Sequence, residues 1–325
     1  MIELSSNKSL SLGPLPWSNE ILIAAVWSSP SDAQRFVDEH PGRDLEKQTN
    51  SLKDTLRIFN KAVTSFFECL ERFQAEVKGG QLFRRNRQAD FIEYEAGFQE
   101  IIFLFASSAK MLVEQSRTLN NEINLSGYSE RTAGFATDPR HRFIQELRND
   151  LIHIVLHQPK WQIATDRNRE TTSRFLLWPD QLKIDKYNKF ARLYVDQHTK
   201  GIDLSELIKS CSADINEFHR WLHKSIENSA AGEQIADYRR CVRCIKSVSS
   251  RSEWNVIFQQ FVLPSKIDPY QYLDQYLTTD ELNEINKLPF QSKAQVDRII
   301  SLVDEYDACD NNLRLLIYKA FRAYL

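Results

Sequence analysis

The sequence predicts an all-α protein, a helical bundle with two long helices, a small β-hairpin insertion and a C-terminal helical extension. In residues 45–77 apolar side chains recur every three or four positions without a proline or glycine, which is the period of an amphipathic helix. Residues 87–123 repeat this spacing and predict a second long helix. Residues 161–164 and 173–178 flank a polar turn and have the composition of two paired strands.

The remaining elements are predicted from apolar spacing and capping residues. Residues 124–137 contain scattered Ser, Gly and Thr and predict a loop. Thr278-x-x-Glu281 and Ser292-x-x-Gln295 have the spacing of capping boxes that open helices. Other helices are predicted at residues 19–28, 31–39, 181–198, 204–228 and 311–325.

Small polar residues suggest where the chain divides. Linkers are predicted at 225–232 and 247–252. We therefore expect an N-terminal arm with short helices at 1–44, a helical domain at 45–228 and a C-terminal helical module at 229–325.

Composition restricts the class of protein. The chain has 325 residues, of which 42% are hydrophobic and 26% charged, and its net charge is −2. This balance excludes a disordered chain and a globally basic nucleic-acid coat. Five cysteines without a disulfide framework fit a reducing compartment, and Cys241-x-x-Cys244 lacks a second pair at zinc spacing. We expect a cytoplasmic protein without a signal peptide, a membrane span, a cofactor or a metal.

A helix with a polar face is predicted shortly before the hairpin. Asp138 is a suitable N-cap and Pro139 suits the first helical position. Pro159 disfavours continuation, so the helix has roughly 18 residues and a length of about 27 Å. At about 100° per residue, His153 falls about 140° from the middle of the apolar arc, on the side of Asn149. The apolar arc contains Phe143, Ile144, Leu147, Leu151, Ile154 and Val155.

Three residues of this helix have side chains suited to cleaving RNA through its own 2′-hydroxyl. Histidine titrates near neutral pH, so His153 could act as the general base. The guanidinium of Arg148 stays protonated and could stabilise charge on the phosphorane oxygens. Asn149 could orient the imidazole or the phosphate. This chemistry requires no metal.

The pattern Arg148-x4-His153, with an amide at Asn149, resembles the signature of the HEPN superfamily. The order of elements, with two long helices before the motif and a hairpin and helices after it, strengthens this resemblance over residues 45–228. The resemblance implies a metal-independent endoribonuclease that forms 2′,3′-cyclic phosphate ends and works in bacterial toxin, stress or phage-defence biology. It also implies an RNA substrate, a homodimer that brings two motifs together, and an antitoxin or defence-system protein as a partner.

One position departs from a common subgroup of that family. The subgroup has a tyrosine three residues beyond the histidine, where a partner antitoxin attaches nucleotides. This chain has Leu156 there. The resemblance therefore does not imply that form of regulation.

Other interpretations remain open at this point. The motif could lie on a solvated helix face, with Arg148 paired to Glu146, to Asp150 or to an acidic residue on another helix, and with His153 exposed. The chain could also be a non-catalytic HEPN-like module that binds RNA or protein, or a structural subunit of a larger assembly. The arginine clusters at 84–87 and 167–169 could contact RNA or belong to solvated turns.

Overall fold

The computed structural model of the protein describes residues 15–78, 87–153, 160–165 and 171–323. The chain forms two compact units. One unit combines the residues up to 43 with those from 234 onward, and the other comprises residues 44–233. The second unit contains residues 45–228, which the sequence predicts to form one helical domain.

The predicted fold class is confirmed, because the described chain is mainly helical and contains one small antiparallel sheet. The two long helices are α3 (Gly42–Lys78, 37 residues) and α4 (Gln88–Ile123, 36 residues). Aromatic side chains pack between them, with ring centroids 5.2 Å apart for Phe59 and Phe105 and 5.4 Å apart for Phe66 and Phe98. The buried faces repeat at the helical period that the sequence predicts.

The prediction of a loop at 124–137 is wrong over most of its length. Asn124 ends α4 in the left-handed conformation, and α5 (Tyr128–Thr137) follows after a short turn. Tyr128 is buried, and its hydroxyl group bonds to Ser116 at 3.1 Å. Contacts of Phe135 with His141 and Phe218 hold the other end of this helix.

The motif helix, α6 (Pro139–His153), packs against α4 and against α7 (Lys189–Gln197). Phe143, Ile144 and Leu147 are buried, in agreement with the predicted apolar arc. Residues 154–159, where the sequence predicts the last turn, lie outside the described residues.

The predicted hairpin is confirmed. Strands β1 (Lys160–Thr165) and β2 (Thr171–Leu177) pair antiparallel, with Ile163 opposite Ser173. A two-residue strand, β3 (Ile202–Asp203), adds to the free edge of β2 and was not predicted. Phe175 inserts into the aromatic core, 4.5 Å from Phe98.

The helix predicted at 181–198 is shorter than expected. Two short 3-10 turns, Pro179–Gln181 and Ile184–Lys186, precede α7, and the side chain of Asn188 caps it. The last helix that lies wholly in the second unit is α8 (Leu204–Glu227), close to its predicted bounds.

The other unit is assembled from both ends of the chain. Its N-terminal helices, α1 (Asn19–Ser28) and α2 (Pro30–Asp38), share a core with α9 (Ala230–Val256). The linker predicted at 247–252 is wrong, because these residues continue α9. Val248 is buried in that core, and Ser247 bonds to the carbonyl oxygen of Asp307.

A second core in this unit is formed by α10 (Thr279–Ile285), α11 (Lys293–Val303) and α12 (Asn311–Ala320). Thr278 forms the predicted capping box with Glu281. Ser292 caps α11, but the side chain of Gln295 accepts from the amide of Gln291 instead of closing the box.

Among the described residues, one helix is long and apolar enough to cross a membrane by length and composition, at residues Ile92–Ile123 of α4. The core helix of a soluble protein meets the same criteria. Its aromatic contacts with α3 give this stretch a packing role in the second unit.

Candidate functional site

The beginning of α6 is fixed by the residue predicted to cap it. The carboxylate of Asp138 accepts from the backbone amides of Arg140 at 2.8 Å and His141 at 3.4 Å. These bonds satisfy two of the amides that have no partner within the helix. The position of every later residue of α6 depends on this start.

Arg148 and Asn149 lie side by side near the other end of α6, and both are half-buried. The guanidinium of Arg148 donates to Oδ1 of Asn149 at 3.5 Å. The ammonium group of Lys110, on α4, donates to the same oxygen at 3.3 Å. Two cationic groups therefore converge on one neutral oxygen atom, an arrangement that favours an anion nearby.

The opposite end of the Asn149 amide is held by an acidic residue. Its Nδ2 donates to Glu146 at 3.3 Å, and Glu146 in turn accepts from the side chain of Asn188 at 2.8 Å. These bonds fix which end of the amide faces the cations, so Asn149 presents its oxygen to Lys110 and Arg148. The role assigned to Asn149 in the sequence analysis, orienting the imidazole or the phosphate, stays a prediction.

Asp150 is the buried carboxylate of this segment. The hydroxyl group of Tyr187 donates to it at 2.5 Å, and the amide of Lys183 donates at 3.4 Å. Burial and the nearby Asp150 carboxylate raise the pKa of Tyr187, which therefore remains a donor. Asp150 thus ties α6 to the segment before α7.

The proposed alternative of an ion-paired Arg148 has no support among the described residues. Glu146 bonds to the two asparagines and Asp150 bonds to Tyr187, while the bond of Arg148 goes to Asn149. Within the described part of the chain, neither Arg148 nor Lys110 forms an ion pair.

His153 is the last residue of α6, one helical turn beyond Asn149. Its side chain lies outside the described residues, so its role stays a prediction. The arginine cluster at 167–169 and residues 84–86 are also outside them. Arg87 pairs with Glu76 at 3.0 Å and is therefore part of a structural ion pair.

A second polar cluster, not predicted from the sequence, joins α6 to α8. Arg140 bonds to Asp138 at 2.7 Å and to Asp214 at 3.0 Å, and His141 contacts the same oxygen of Asp214 at 3.3 Å. Burial lowers the pKa of His141, although the two carboxylates oppose this effect. Burial alone would raise the pKa of Asp138, but the hydrogen bonds from Arg140 outweigh it and lower the pKa.

This second cluster has the ligand types of a metal site, since its three ligand atoms lie within 4.8 Å of one another. However, the guanidinium of Arg140 already contacts both carboxylates. A metal ion would have to displace that positive charge or lie beside it. The cluster is better explained as an ion-pair network between two helices.

The other unit contains a second group of possible metal ligands, formed by His40, Asp237 and Cys241. Its geometry does not favour a metal ion. Nδ1 of His40 accepts from the amide of Gly42 at 3.0 Å, so the ring proton is on Nε2, which lies 3.2 Å from Asp237. Burial raises the pKa of nearby Cys241 to about 11, which disfavours the thiolate that a metal would need.

Comparisons of the chain with protein-family models, with curated proteins and with solved structures find no match. The motif and the geometry of α4 and α6 are therefore the features that bear on function.

Proposed function

We propose that the protein is a metal-independent endoribonuclease of HEPN type that uses the polar end of α6. The observation that supports this most strongly is the convergence of Lys110 and Arg148 on Asn149, one helical turn before His153. Such a pair of cations suits a phosphodiester, whose charge increases as the phosphorane forms. Lys110 comes from another helix and was not part of the predicted motif.

The proposed reaction is a transfer of the phosphoryl group within the RNA chain. His153 takes the proton of the 2′-hydroxyl, and the 2′-oxygen attacks the adjacent phosphorus atom. The bond from phosphorus to the 5′-oxygen of the next nucleotide breaks, and a proton from the imidazolium returns to that oxygen. The products are a 2′,3′-cyclic phosphate and a 5′-hydroxyl, and no oxidant or water is consumed.

Each remaining residue has a distinct part in this proposal. Arg148 and Lys110 hold the phosphate oxygens and stabilise their charge. Asn149, fixed by Glu146, positions both cations. By resemblance we also propose a homodimer, since only one Arg-x4-His pattern of the chain, Arg148 to His153, has an amide after the arginine, and a symmetric interface would place two copies together.

The test is incubation of purified protein with total RNA in EDTA. Arg148→Ala and Lys110→Met should each lower the cleavage rate by about 10²-fold or more, because each removes a charge that stabilises the transition state. His153→Ala should lower it by about 10²–10⁴-fold, as expected for loss of a general base.

Lys209→Met, at an exposed lysine of α8, is the matched control and should leave cleavage unchanged. Cleavage that survives both Arg148→Ala and His153→Ala would contradict the proposal. Absence of cleavage by the folded wild-type protein would instead favour a non-catalytic binding module.

A further inference from the structure

A cavity of about 200 Å³ lies in the unit that combines both ends of the chain, between the last part of α9, the 3-10 helix Pro269–Gln275, α11 and α12. Ile257, Tyr272 and Tyr276 line it and are exposed, so the cavity opens to the surface there. Well-packed interiors leave few voids larger than a water molecule, so a cavity of this size requires an explanation. The buried lining residues include Phe258, Ile299, Ile300, Leu313, Ile317 and Phe321.

One wall of this cavity is a wide helical turn. Ile257–Val262 forms a π-helix directly after α9, and the amide of Leu263 donates to the carbonyl oxygen of Phe258, five residues back, at 3.1 Å. Ile257, Phe258 and Val262 of this turn line the cavity. Single π-helical turns are rare and occur frequently at functional sites. The departure from α-helical geometry thus coincides with the cavity wall.

The polar groups of the lining do not favour a charged ligand. Among the described lining residues Asp304 alone is charged, and its carboxylate accepts from the backbone amides of Ala308 at 2.7 Å and Cys309 at 2.8 Å. Burial raises the pKa of the Cys309 thiol, which is therefore neutral near pH 7. No lysine, arginine or histidine is among these residues. A buried anion would have no cation to pair with, and a cation would meet a carboxylate already bonded to two amides.

Aromatic rings supply much of the apolar wall. The rings of Trp254 and Phe258 stack with their centroids 5.8 Å apart, and Tyr272, Tyr276 and Phe321 add three further rings to the lining. Aromatic rings attract another ring in offset-stacked or edge-to-face arrangements, beyond the effect of buried area. An apolar cavity of about 150 Å³ stays free of water and binds benzene. The larger volume here suits one six-membered ring with a small substituent.

We propose that this cavity is a binding site for a small uncharged molecule with one aromatic ring. The ring enters beside Ile257 and Tyr276 and makes the contacts that the buried apolar walls otherwise lack. The proposal goes beyond the ribonuclease and does not depend on it, because the residues proposed for cleavage all belong to the other unit. Binding can therefore be measured without RNA.

The test uses the full-length protein and fluorinated probes observed by fluorine nuclear magnetic resonance. Fluorobenzene should bind saturably, with one molecule per chain. The anion 4-fluorobenzoate and the cation 4-fluorobenzylamine should each bind about tenfold more weakly or less, because the cavity does not compensate the loss of their hydration. Fluorocyclohexane should also bind more weakly than fluorobenzene, since it has no aromatic ring.

Two adjacent exposed residues provide a variant and its matched control. Ile257 is 40% exposed and lines the cavity, whereas Val256 is 42% exposed and does not. Ile257→Glu places a carboxylate in the wall and should weaken fluorobenzene binding about tenfold or more. Val256→Glu should bind fluorobenzene as the wild type does. The circular dichroism spectrum of each variant checks that it is folded.

The thiol of Cys309 locates the bound probe. Cys309 lines the cavity, while the similarly half-buried Cys244 belongs to the same unit but not to the lining. Fluorobenzene should slow alkylation of Cys309 by N-ethylmaleimide and leave the rate at Cys244 unchanged. The proposal would be overturned by no saturable binding of fluorobenzene, by unchanged binding to folded Ile257→Glu, or by an unprotected Cys309. Binding of a charged probe or of fluorocyclohexane as tight as that of fluorobenzene would also overturn it.

Discussion

His219 is a buried residue whose titration should be visible in the stability of the protein. Burial, with a smaller effect from the charge of His223, lowers its pKa to about 4. Between this value and about 6.5 the unfolded chain binds more protons at this position than the folded chain does. The contribution of His219 to stability is therefore present above pH 6.5 and is lost as pH falls toward 4.

We predict that His219→Phe flattens the acid side of the stability curve. On lowering the pH from 7 to 4.5, the free energy of unfolding should fall by about 2 kcal/mol more in the wild type than in the variant. Urea denaturation at several pH values measures this difference, with pH 8 as the baseline for the packing effect of the substitution. Parallel curves for the two proteins would show that the pKa of His219 is not lowered.

Only some residues of the candidate site could be predicted from the sequence. Arg148, Asn149 and the start of α6 were predicted because they follow each other along one helix. Lys110 was missed because it lies 39 residues earlier and reaches Asn149 only through the packing of α4 on α6. The burial of His219 and its unpaired Nδ1 atom could not be predicted, since no sequence pattern shows that a ring nitrogen lacks a partner.

At the scale of elements, the N-cap of α6 can be tested directly. We predict that Asp138→Ala lowers the free energy of unfolding by about 1–2 kcal/mol, because the amides of Arg140 and His141 lose their acceptor. Asp138→Asn should lower the free energy of unfolding by less, since the side-chain oxygen of the asparagine can still cap the helix. Urea denaturation compares the two variants, and equal losses would mean that the charge, rather than the cap, matters here.

Long regular elements were predictable and short ones that depend on tertiary contacts were not. α3 and the hairpin have clear periodicities, and both are confirmed. In α5, Ser and Gly residues resemble a loop, but burial of Tyr128 and the contacts of Phe135 stabilise a helix. The serines at 247–252 likewise resemble a linker, yet α9 continues through them. Val248, in the same stretch, is buried in the core of this unit.

At the scale of the whole molecule, one unit is made from both ends of the chain, an arrangement that local patterns cannot reveal. Gly42 marks a close approach within this unit. A Cβ atom added there would lie 2.3 Å from the carbonyl oxygen of Gln234 and 2.8 Å from Cβ of Tyr238. Only a residue without a side chain fits this contact unless the backbone shifts.

We predict that Gly42→Ala destabilises the protein by about 1–3 kcal/mol, as overpacking does in well-packed interiors. Gly97→Ala is the matched control, because its added Cβ meets nothing within 4 Å and removes a flexible residue from the interior of α4. The free energy of unfolding of Gly97→Ala should be about 0.5–1 kcal/mol higher than that of the wild type. Thermal unfolding measures both, and a stabilising Gly42→Ala would contradict the described contact.

The proposed cleavage of RNA through the 2′-hydroxyl at the polar end of α6 can be tested with a modified substrate. The nucleotide before a mapped cleavage site is replaced by its 2′-deoxy form, and the digestion is repeated in EDTA. We predict that cleavage stops at that bond alone, while the remaining products still end in 2′,3′-cyclic phosphate. Continued cleavage at the deoxynucleotide would require a different nucleophile and would contradict the role proposed for His153.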